Sequence, residues 1–565
     1  MAGVYLLRFL PAVRYIFLRN SPELVSVSYQ IYWFSLGYCI SSMFRKKDAA
    51  TIRSNSNGLV LFKVIFSNFA KLNKSIMNSE IRQLKPQQLW NKFADLNAIP
   101  RASKKEARVV AFIKDFGKNL GLETFEDAVG NVIIKKPATA GMEHKTTVVL
   151  QSHLDMVHQK NNDTAFDFDT QGIKMYISGD WVHADGTTLG ADNGLGVATI
   201  LAILESTTIA HPAIEALFTI DEETGMTGAK GLKGGLLEGK ILLNLDTEED
   251  DELGVGCAGG IDVTATRTYV EEETPEFKIG FKINVKGLQG GHSGMQIHEG
   301  LGNANKLMNR LLFDGFENFG LRISEIDGGS LRNAIPRESK AIVAIDAMHK
   351  ETFLLEMNAH AEAIKAELKT KEPDLKIVIE ACETPKKIMD LGVQEGLTRA
   401  LYAAQNGVYR MSADIPNLVE TSNNIARVVV KNGKIKISCL TRSSVESSKM
   451  DLANTLRATF ELTGCEVDFS GDYPGWTPNM ESPILKIMTQ IYTDLTGEEP
   501  HVAACHAGLE CGILGQHYPD MDMISFGPNI KGAHSPDERA QISSVQKYWK
   551  FVLEILKQIP DRNWN

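Results

Sequence analysis

The 565-residue chain is read as an α/β protein of more than one domain, on three observations. Strand and helix signals alternate from Pro86 to Gly256, the composition of a sheet with helices packed on it. Within that stretch, short β-branched apolar runs end in His, Asp or Glu, as strands do when they deliver ligand-binding side chains to the rim of a sheet. A chain of this length also exceeds a single hydrophobic core, so two or more domains are expected.

Composition narrows the partners. With 43% hydrophobic and 23% charged residues, most of the chain is globular. The net charge of −10 is uneven, because residues 1–76 carry +8 and leave −18 for the remainder. A body that acidic speaks against nucleic acid as a partner. The seven cysteines are scattered with no CxxC pair, so neither a disulfide framework nor a thiolate zinc site is indicated, and a reducing, cytoplasmic setting fits.

Residues 1–76 differ from the rest. Residues 24–44 carry no charge and are followed by Arg45, Lys46 and Lys47, the form of a bilayer span with a basic cytoplasmic flank. The Ser, Tyr, Gln and Gly in that run make its insertion marginal. A basic, acid-poor segment containing serine also has the form of a cleaved targeting peptide. A start assigned upstream of the true one at Met77 is the third reading. Membrane contact is expected only if the segment is made and retained.

From Pro86 the pattern turns helical, with Gln88, Leu89, Trp90, Phe93 and Leu96 at helical spacing. Ser103 and Glu106 have the spacing of a capping box for a second helix through Phe116. Residues 194–206 read as a further helix. The character changes between Cys257 and Thr274, and residues 271–275 read as a surface crossing. Strands then alternate with amphipathic helices, including 353–368 and 451–462, up to about Ser470. NAIPRESKAIVAIDA precedes the first of these and NNIARVVVKNGKIKISCL the second, a layout of two strand-strand-helix halves. A final helix is expected over 545–559.

Chemistry concentrates between Thr146 and Asp246, where four apolar runs close on acids or imidazole: TTVVLQSHLDM, TTLGADNG, ALFTIDEETG and ILLNLD. On a strand, His153 and Asp155 face the same way, so one imidazole nitrogen is free for a metal while Asp155 takes the proton on the other. Asp192 lies between glycines, with little bulk to block close approach, and is suited to bridge two ions. Glu222 and Glu223, adjacent at a strand end, diverge, so one can ligate while the other stays free as a general base. Asp246 closes the last run. With the distant His534 in GAHSPDE, the set mixes imidazole and carboxylate, which suits zinc or a similar divalent ion. Singly, each residue also fits a strand histidine or a turn acid; order and spacing set them apart.

That order, HLD, ADNG, DEE, NLD and a distant AHSPDE, resembles the M20 metallopeptidases. KPATAGME, QSHLDMVHQKNNDT, GTTLGADNG, GCAGGID, GGHSG, GLGNANKL, GGSLRNAIPRE, YPGW, HAGLECG and GPNIKGAHSPDE are similar to its aminoacyl-histidine dipeptidase subgroup, from about Met77 to the C-terminus. The resemblance implies a zinc-peptidase-like catalytic domain, a mixed sheet flanked by helices, formed by residues 77–265 and 471–565. It further implies an α+β lid or dimerisation domain inserted at 266–470, with a homodimer as one arrangement open to the chain.

The implied activity is hydrolysis of small peptides, broad-specificity dipeptides including the Xaa-His type, by water activated between two zinc ions per subunit, with cobalt or manganese able to substitute. By the same resemblance Asp192 bridges the ions, His153 and Asp246 complete one site, and Glu223 and His534 complete the other. Glu222 is the base, and Asp155 orients His153. His292 in GGHSG is the lid histidine that stabilises the oxyanion, from its own subunit or a partner. Asn333, His506 and Glu510 match substrate contacts, Glu510 towards the amino terminus. Arg442 has the guanidinium fork for a C-terminal carboxylate. An aminoacylase-like amidohydrolase on the same fold would keep every metal residue. A non-catalytic binding descendant would be expected to lose Glu222 or a ligand.

Overall fold

The computed structural model describes residues 78–562; the membrane-span, targeting and start-site readings of residues 1–76 lie outside the described residues. Six strands, β1 (Glu123–Glu126), β2 (Val132–Lys136), β3 (Val148–His153), β4 (Ile214–Thr219), β5 (Ile241–Asn244) and β6 (Glu252–Cys257), precede a long insertion. After it come β7 (His501–Cys505) and β8 (Asp522–Ser525). Together they form one sheet in the order β1-β2-β4-β3-β5-β8-β6-β7. The sheet is mixed: β4, β3, β5 and β8 run parallel, whereas β1 and β2 are antiparallel.

The continuous apolar runs of β3, β4 and β5 are buried throughout, as a sheet covered on both faces requires. Alternation sorts them. Val148 and Leu150 join a core shared with the helices Gln87–Leu96, Ala191–Glu205 and Ile542–Gln558, while Val149, Leu217 and Leu242 pack with the helix Glu510–His517 on the other face. Burial of each such side chain contributes about 1.5–3 kcal/mol. Because β4, β3 and β5 are parallel neighbours, their C-terminal ends share one rim, and the segments that follow them meet there.

The insertion forms a second sheet of nine strands, paired antiparallel throughout. The expected strand-strand-helix layout occurs twice. Arg322–Gly329, Ser339–Asp346 and the helix Lys350–Leu368 make one half; Val419–Lys431, Lys434–Ser443 and the helix Glu446–Glu461 make the other. The halves join where Arg322–Gly329 pairs with Val419–Lys431. The strand Gly259–Thr268 already belongs to this sheet, so the passage between sheets lies just after Cys257, ahead of residue 266.

One local expectation is corrected. Ser103 and Glu106 do not form a capping box, and the helix Ala107–Asn119 has no side-chain cap. Ser103 Oγ instead donates to Asp155 Oδ2 at 2.8 Å, and Glu106 Oε1 accepts from the backbone N–H groups of Lys104 (2.8 Å) and Asp221 (3.1 Å). Buried acids and their loops have taken the capping groups. Among the described residues no helix is long and apolar enough to cross a membrane, and all six cysteines are free.

The helix Ala191–Glu205 passes beneath the rim only because residue 196 lacks a side chain. A Cβ there would lie 2.1 Å from Asn193 Oδ1, 2.4 Å from Ser152 Oγ and 2.5 Å from the Leu245 carbonyl oxygen. Gly196→Ala should therefore destabilise the protein by about 1–3 kcal/mol, the usual cost of overpacking. A thermal unfolding midpoint equal to that of the parent protein would show that the helix is not so confined.

Candidate metal centre

Each cluster reaches the rim by a different turn of the chain. His153 is the last residue of β3 and Asp155 lies two beyond it; Asp246 follows β5 by the same interval. Glu222 and Glu223 are not at a strand end as expected. β4 stops at Thr219, Asp221 takes a left-handed conformation (φ 52°), and the pair opens a four-residue helical turn. Their backbone N–H groups donate to Asp155 at 3.0 and 3.3 Å, which fixes the turn against β3. His534 comes from the loop after β8 and also has positive φ, 62°. Non-glycine residues held in this region cluster at functional sites.

The geometry is two triads that share one carboxylate. His153 Nε2 lies 3.1 Å from Asp192 Oδ1 and 3.5 Å from Asp246 Oδ1. His534 Nε2 lies 3.2 Å from Asp192 Oδ2 and 2.9 Å from Glu223 Oε2. Each triad offers three ligand atoms within 4.8 Å of one another. A third cluster, Glu106, Asp155 and Asp221, meets the same limit, but each of its carboxylates is already engaged by donors of the protein. Asp155 accepts from Ser103 and two backbone N–H groups, Asp221 from the hydroxyls of Thr224 and Thr227, and Glu106 from two N–H groups.

Electrostatics separate these clusters further. Burial pushes Asp155 up, yet the imidazole of His153, the Ser103 hydroxyl and the Glu222 N–H outweigh it and hold the carboxyl at about 2. Asp192 is likewise held below the ordinary carboxylate range, burial being overcome by hydrogen bonds to His153 and His534. Hydrogen bonds accepted by Asp192 and Glu223 raise His534 to about 11. Glu223 and Asp246 are raised, first by burial, and Glu223 Oε1 is buried with no protein partner. Three crowded carboxylates facing two imidazoles, with an oxygen unspent, form a donor set that fits divalent cations; all five donors are hard or borderline, as zinc, cobalt and manganese accept. Glu222 stands apart. Its carboxyl is raised well above the ordinary range by burial first, against the pull of His153, and by the charges of Asp246, Glu510 and Glu223.

A short two-stranded ribbon within the insertion sets His292 beside Asn333. Gly291 and His292 pair with Ile335 and Ala334, and Ser293 donates to the Asn333 carbonyl at 2.8 Å, so His292 and the exposed Asn333 are neighbours. His292 Nδ1 accepts from the N–H groups of Gly294 (3.2 Å) and Met295 (3.0 Å), which leaves the proton on Nε2. Burial, with Arg442 and His534 nearby, lowers it to about 4 and keeps it neutral. His506 is buried and lowered to about 3 by burial and Arg442, with Nε2 2.8 Å from Ser422 Oγ. Glu510 is fully buried beneath the rim, accepting from Gln151 (2.7 Å) and Thr219 (2.6 Å) on Oε2.

Sequence reasoning missed three residues. Glu538 accepts from four successive backbone N–H groups, Leu189 (2.7 Å), Gly190 (2.9 Å), Ala191 (2.7 Å) and Asp192 (3.3 Å). Arg101, fully buried, donates to the carbonyls of Leu154 (3.1 Å), Asp155 (2.9 Å) and Gly190 (2.6 Å). Glu248 is raised to about 8 by burial and by Asp192. Only Glu538 had a signal, its place in GAHSPDE four residues after His534.

The sequence profile of peptidase family M20/M25/M40 matches residues 149–558. The chain belongs to this family. It is 44% identical over 482 residues to the cytosol non-specific dipeptidase of Escherichia coli (strain K12), covering 85% of this chain and 99% of that one. The crystal structure of aminoacylhistidine dipeptidase from Vibrio alginolyticus superposes with a TM-score of 0.80 at 45% identity, over 86% of this M20 chain and 99% of that chain. A tripeptidase from Staphylococcus aureus, 17% identical with a TM-score of 0.50 over 84% and 99% of the two chains, is alike in fold alone.

If Glu538 holds the Asp192 loop in place, Glu538→Gln should weaken metal retention about 10- to 100-fold, as loss of an outer partner usually does. Competition with a chelator measures this. Retention equal to that of the parent protein would detach Glu538 from the centre.

Proposed function

We propose that the chain is a two-zinc dipeptidase, with a catalytic domain built on the first sheet and a lid formed by the inserted sheet, which begins at Gly259 and ends at Tyr473. Dipeptide hydrolysis fits the M20 membership and the likeness to two dipeptidases over nearly their whole lengths. The observation that carries the metal assignment is the carboxylate of Asp192, with one oxygen towards His153 and the other towards His534. In this reading Asp192 would be shared between two ions, with His153 and Asp246 to hold one and Glu223 and His534 the other. A pair of divalent ions supplies polarisation of the scissile carbonyl and acidification of the attacking water.

The remaining work falls to side chains. Asp155, 3.3 Å from His153 Nδ1, fixes the ring so that Nε2 faces the centre. Glu222, with its raised proton affinity, takes the proton from the attacking water and passes it to the leaving amine. His292, neutral with its proton on Nε2, donates to the developing oxyanion. Arg442 takes the C-terminal carboxylate, with Asn333 and His506 beside it. Glu510 supplies negative charge from below, on the side of the substrate ammonium. Xaa-His peptides fall within the expected range, and the free, scattered cysteines fit a cytoplasmic location.

Chelation should abolish dipeptide hydrolysis, and zinc, cobalt or manganese should restore it. A metal-free sample that still cleaves at the original rate would contradict the proposal.

The adjacent glutamates should part company. Glu222→Gln is predicted to retain metal and lower kcat by about 10² to 10⁴, whereas Glu223→Gln should lose metal affinity. The opposite pattern would reverse the two roles. His292→Ala should lower kcat by about 10² to 10³ with metal content intact; an unchanged kcat would remove it from the reaction.

A further inference from the structure

The YPGW motif lies where the chain returns from the inserted sheet, and its tyrosine is held unusually firmly. Tyr473 pairs with Gly260 at the end of the strand Glu466–Tyr473. The fully buried Lys449 donates to its carbonyl at 2.9 Å. Cys257 and Trp476 exchange two backbone hydrogen bonds of 2.9 Å beside it. Its ring occupies the space over two glycines: a Cβ on Gly260 would lie 2.6 Å from the phenol oxygen, and one on Gly508 3.0 Å from Cε2. Gly508 sits between His506 and Glu510, so Tyr473 joins the crossing to the HAGLECG loop.

Hydrogen bonding at the phenol is half complete. Arg442 Nη1 donates to Tyr473 Oη at 2.7 Å. That bond uses a lone pair of the oxygen and leaves the hydroxyl proton for another acceptor, yet no described residue accepts it in a hydrogen bond. Nearby, Arg442 Nε is buried without a partner, on a side chain only 4% exposed. Arg442 also lies close enough to lower the pKa of both His292 and His506, which stay neutral beside it. Two unspent donors on adjoining side chains, one of them a cation, call for an anionic acceptor from outside the protein.

We propose that Tyr473 is a substrate-binding residue: its hydroxyl accepts from Arg442 and donates to the C-terminal carboxylate of the dipeptide. This rests on the reading of Arg442 as the carboxylate anchor. The fixed backbone and glycine-lined seat pre-orient the hydroxyl, which lowers the ordering cost of binding. A substrate without the carboxylate charge gains less from it, because a hydrogen bond to a neutral carbonyl is weaker than one to an anion, so the residue sets a preference for free dipeptides over their amides.

Steady-state kinetics of the zinc-loaded full-length chain on alanyl-histidine and alanyl-histidinamide test this. Tyr473→Phe keeps the ring in its seat. It should raise KM for the free acid about 10- to 100-fold, the range for losing a hydrogen bond to a charged group, with kcat little changed and a clearly smaller rise in KM for the amide. An unchanged unfolding midpoint and metal content show that the variant is folded. Arg442→Ala should sharply reduce the preference for acid over amide; a full preference there would refute the reading of Arg442. If Arg442→Ala loses the preference while Tyr473→Phe keeps the parent KM, the proposal for Tyr473 alone is overturned. Added to Arg442→Lys, Tyr473→Phe should raise KM again. No further rise would show that the phenol only steadies the guanidinium and would overturn direct donation.

Discussion

The Glu538 carboxylate, gathering four consecutive backbone N–H groups from Leu189 to Asp192, is the interaction on which the centre depends. It joins segments about 350 residues apart in sequence and sets the loop that carries Asp192 against the loop that carries His534. Burial pushes its pKa up to about 7 against the pull of those N–H groups. The nearby guanidinium of Arg101, lowered by burial to about 10 yet still cationic, offsets the buried negative charge. Arg101 also grips the carbonyls just beyond β3 and that of Gly190. The Asp192 loop is thus held by both an anion and a cation, and its carboxylate is aimed at His153 and His534 by the protein alone.

Much of this was legible in the sequence, for reasons that differ by element. The runs VVLQSH, IEALFT and ILLN read as buried strands because both faces are covered and apolar residues dominate each run, with Glu215 the one early exception. Their acidic or imidazole endings converge because three parallel neighbours share one rim. The layout of the inserted sheet was readable from two strand-strand-helix patterns. Hydrogen bonds to backbone were not readable, since they leave no period or composition in the sequence. Arg101 looks like any arginine after a proline, and Glu538 like a turn acid. Ser103 and Glu106 had capping-box spacing, but Asp155, Lys104 and Asp221 claimed their side chains. The glutamate pair left its strand because Asp221 turns the chain with positive φ before it.

Charge divides the site into two halves. The first sheet and its loops contribute Asp192, Glu222, Glu223, Asp246 and Glu510, an acidic floor. The insertion and the crossing contribute Arg442, Tyr473 and His292, a donor-rich roof whose positive charge is the Arg442 guanidinium. A short peptide with an ammonium at one end and a carboxylate at the other matches this polarity, and in a long peptide the carboxylate lies too far from the scissile bond to reach Arg442. Beneath the rim, Gln151 donates to Glu510, Asn244 to Gln151 and Ser525 to Asn244. This one-way chain of donors ends on Glu510 and keeps that carboxylate an acceptor.

The central claim is that one aspartate bridges two ions. Anomalous diffraction at the zinc edge, from crystals of the zinc-loaded protein, tests it most directly. The account predicts two peaks about 3.5–4 Å apart, flanking the Asp192 carboxylate, one beside His153 and Asp246 and the other beside Glu223 and His534. A single peak, or a pair with Asp192 outside the space between them, would contradict it.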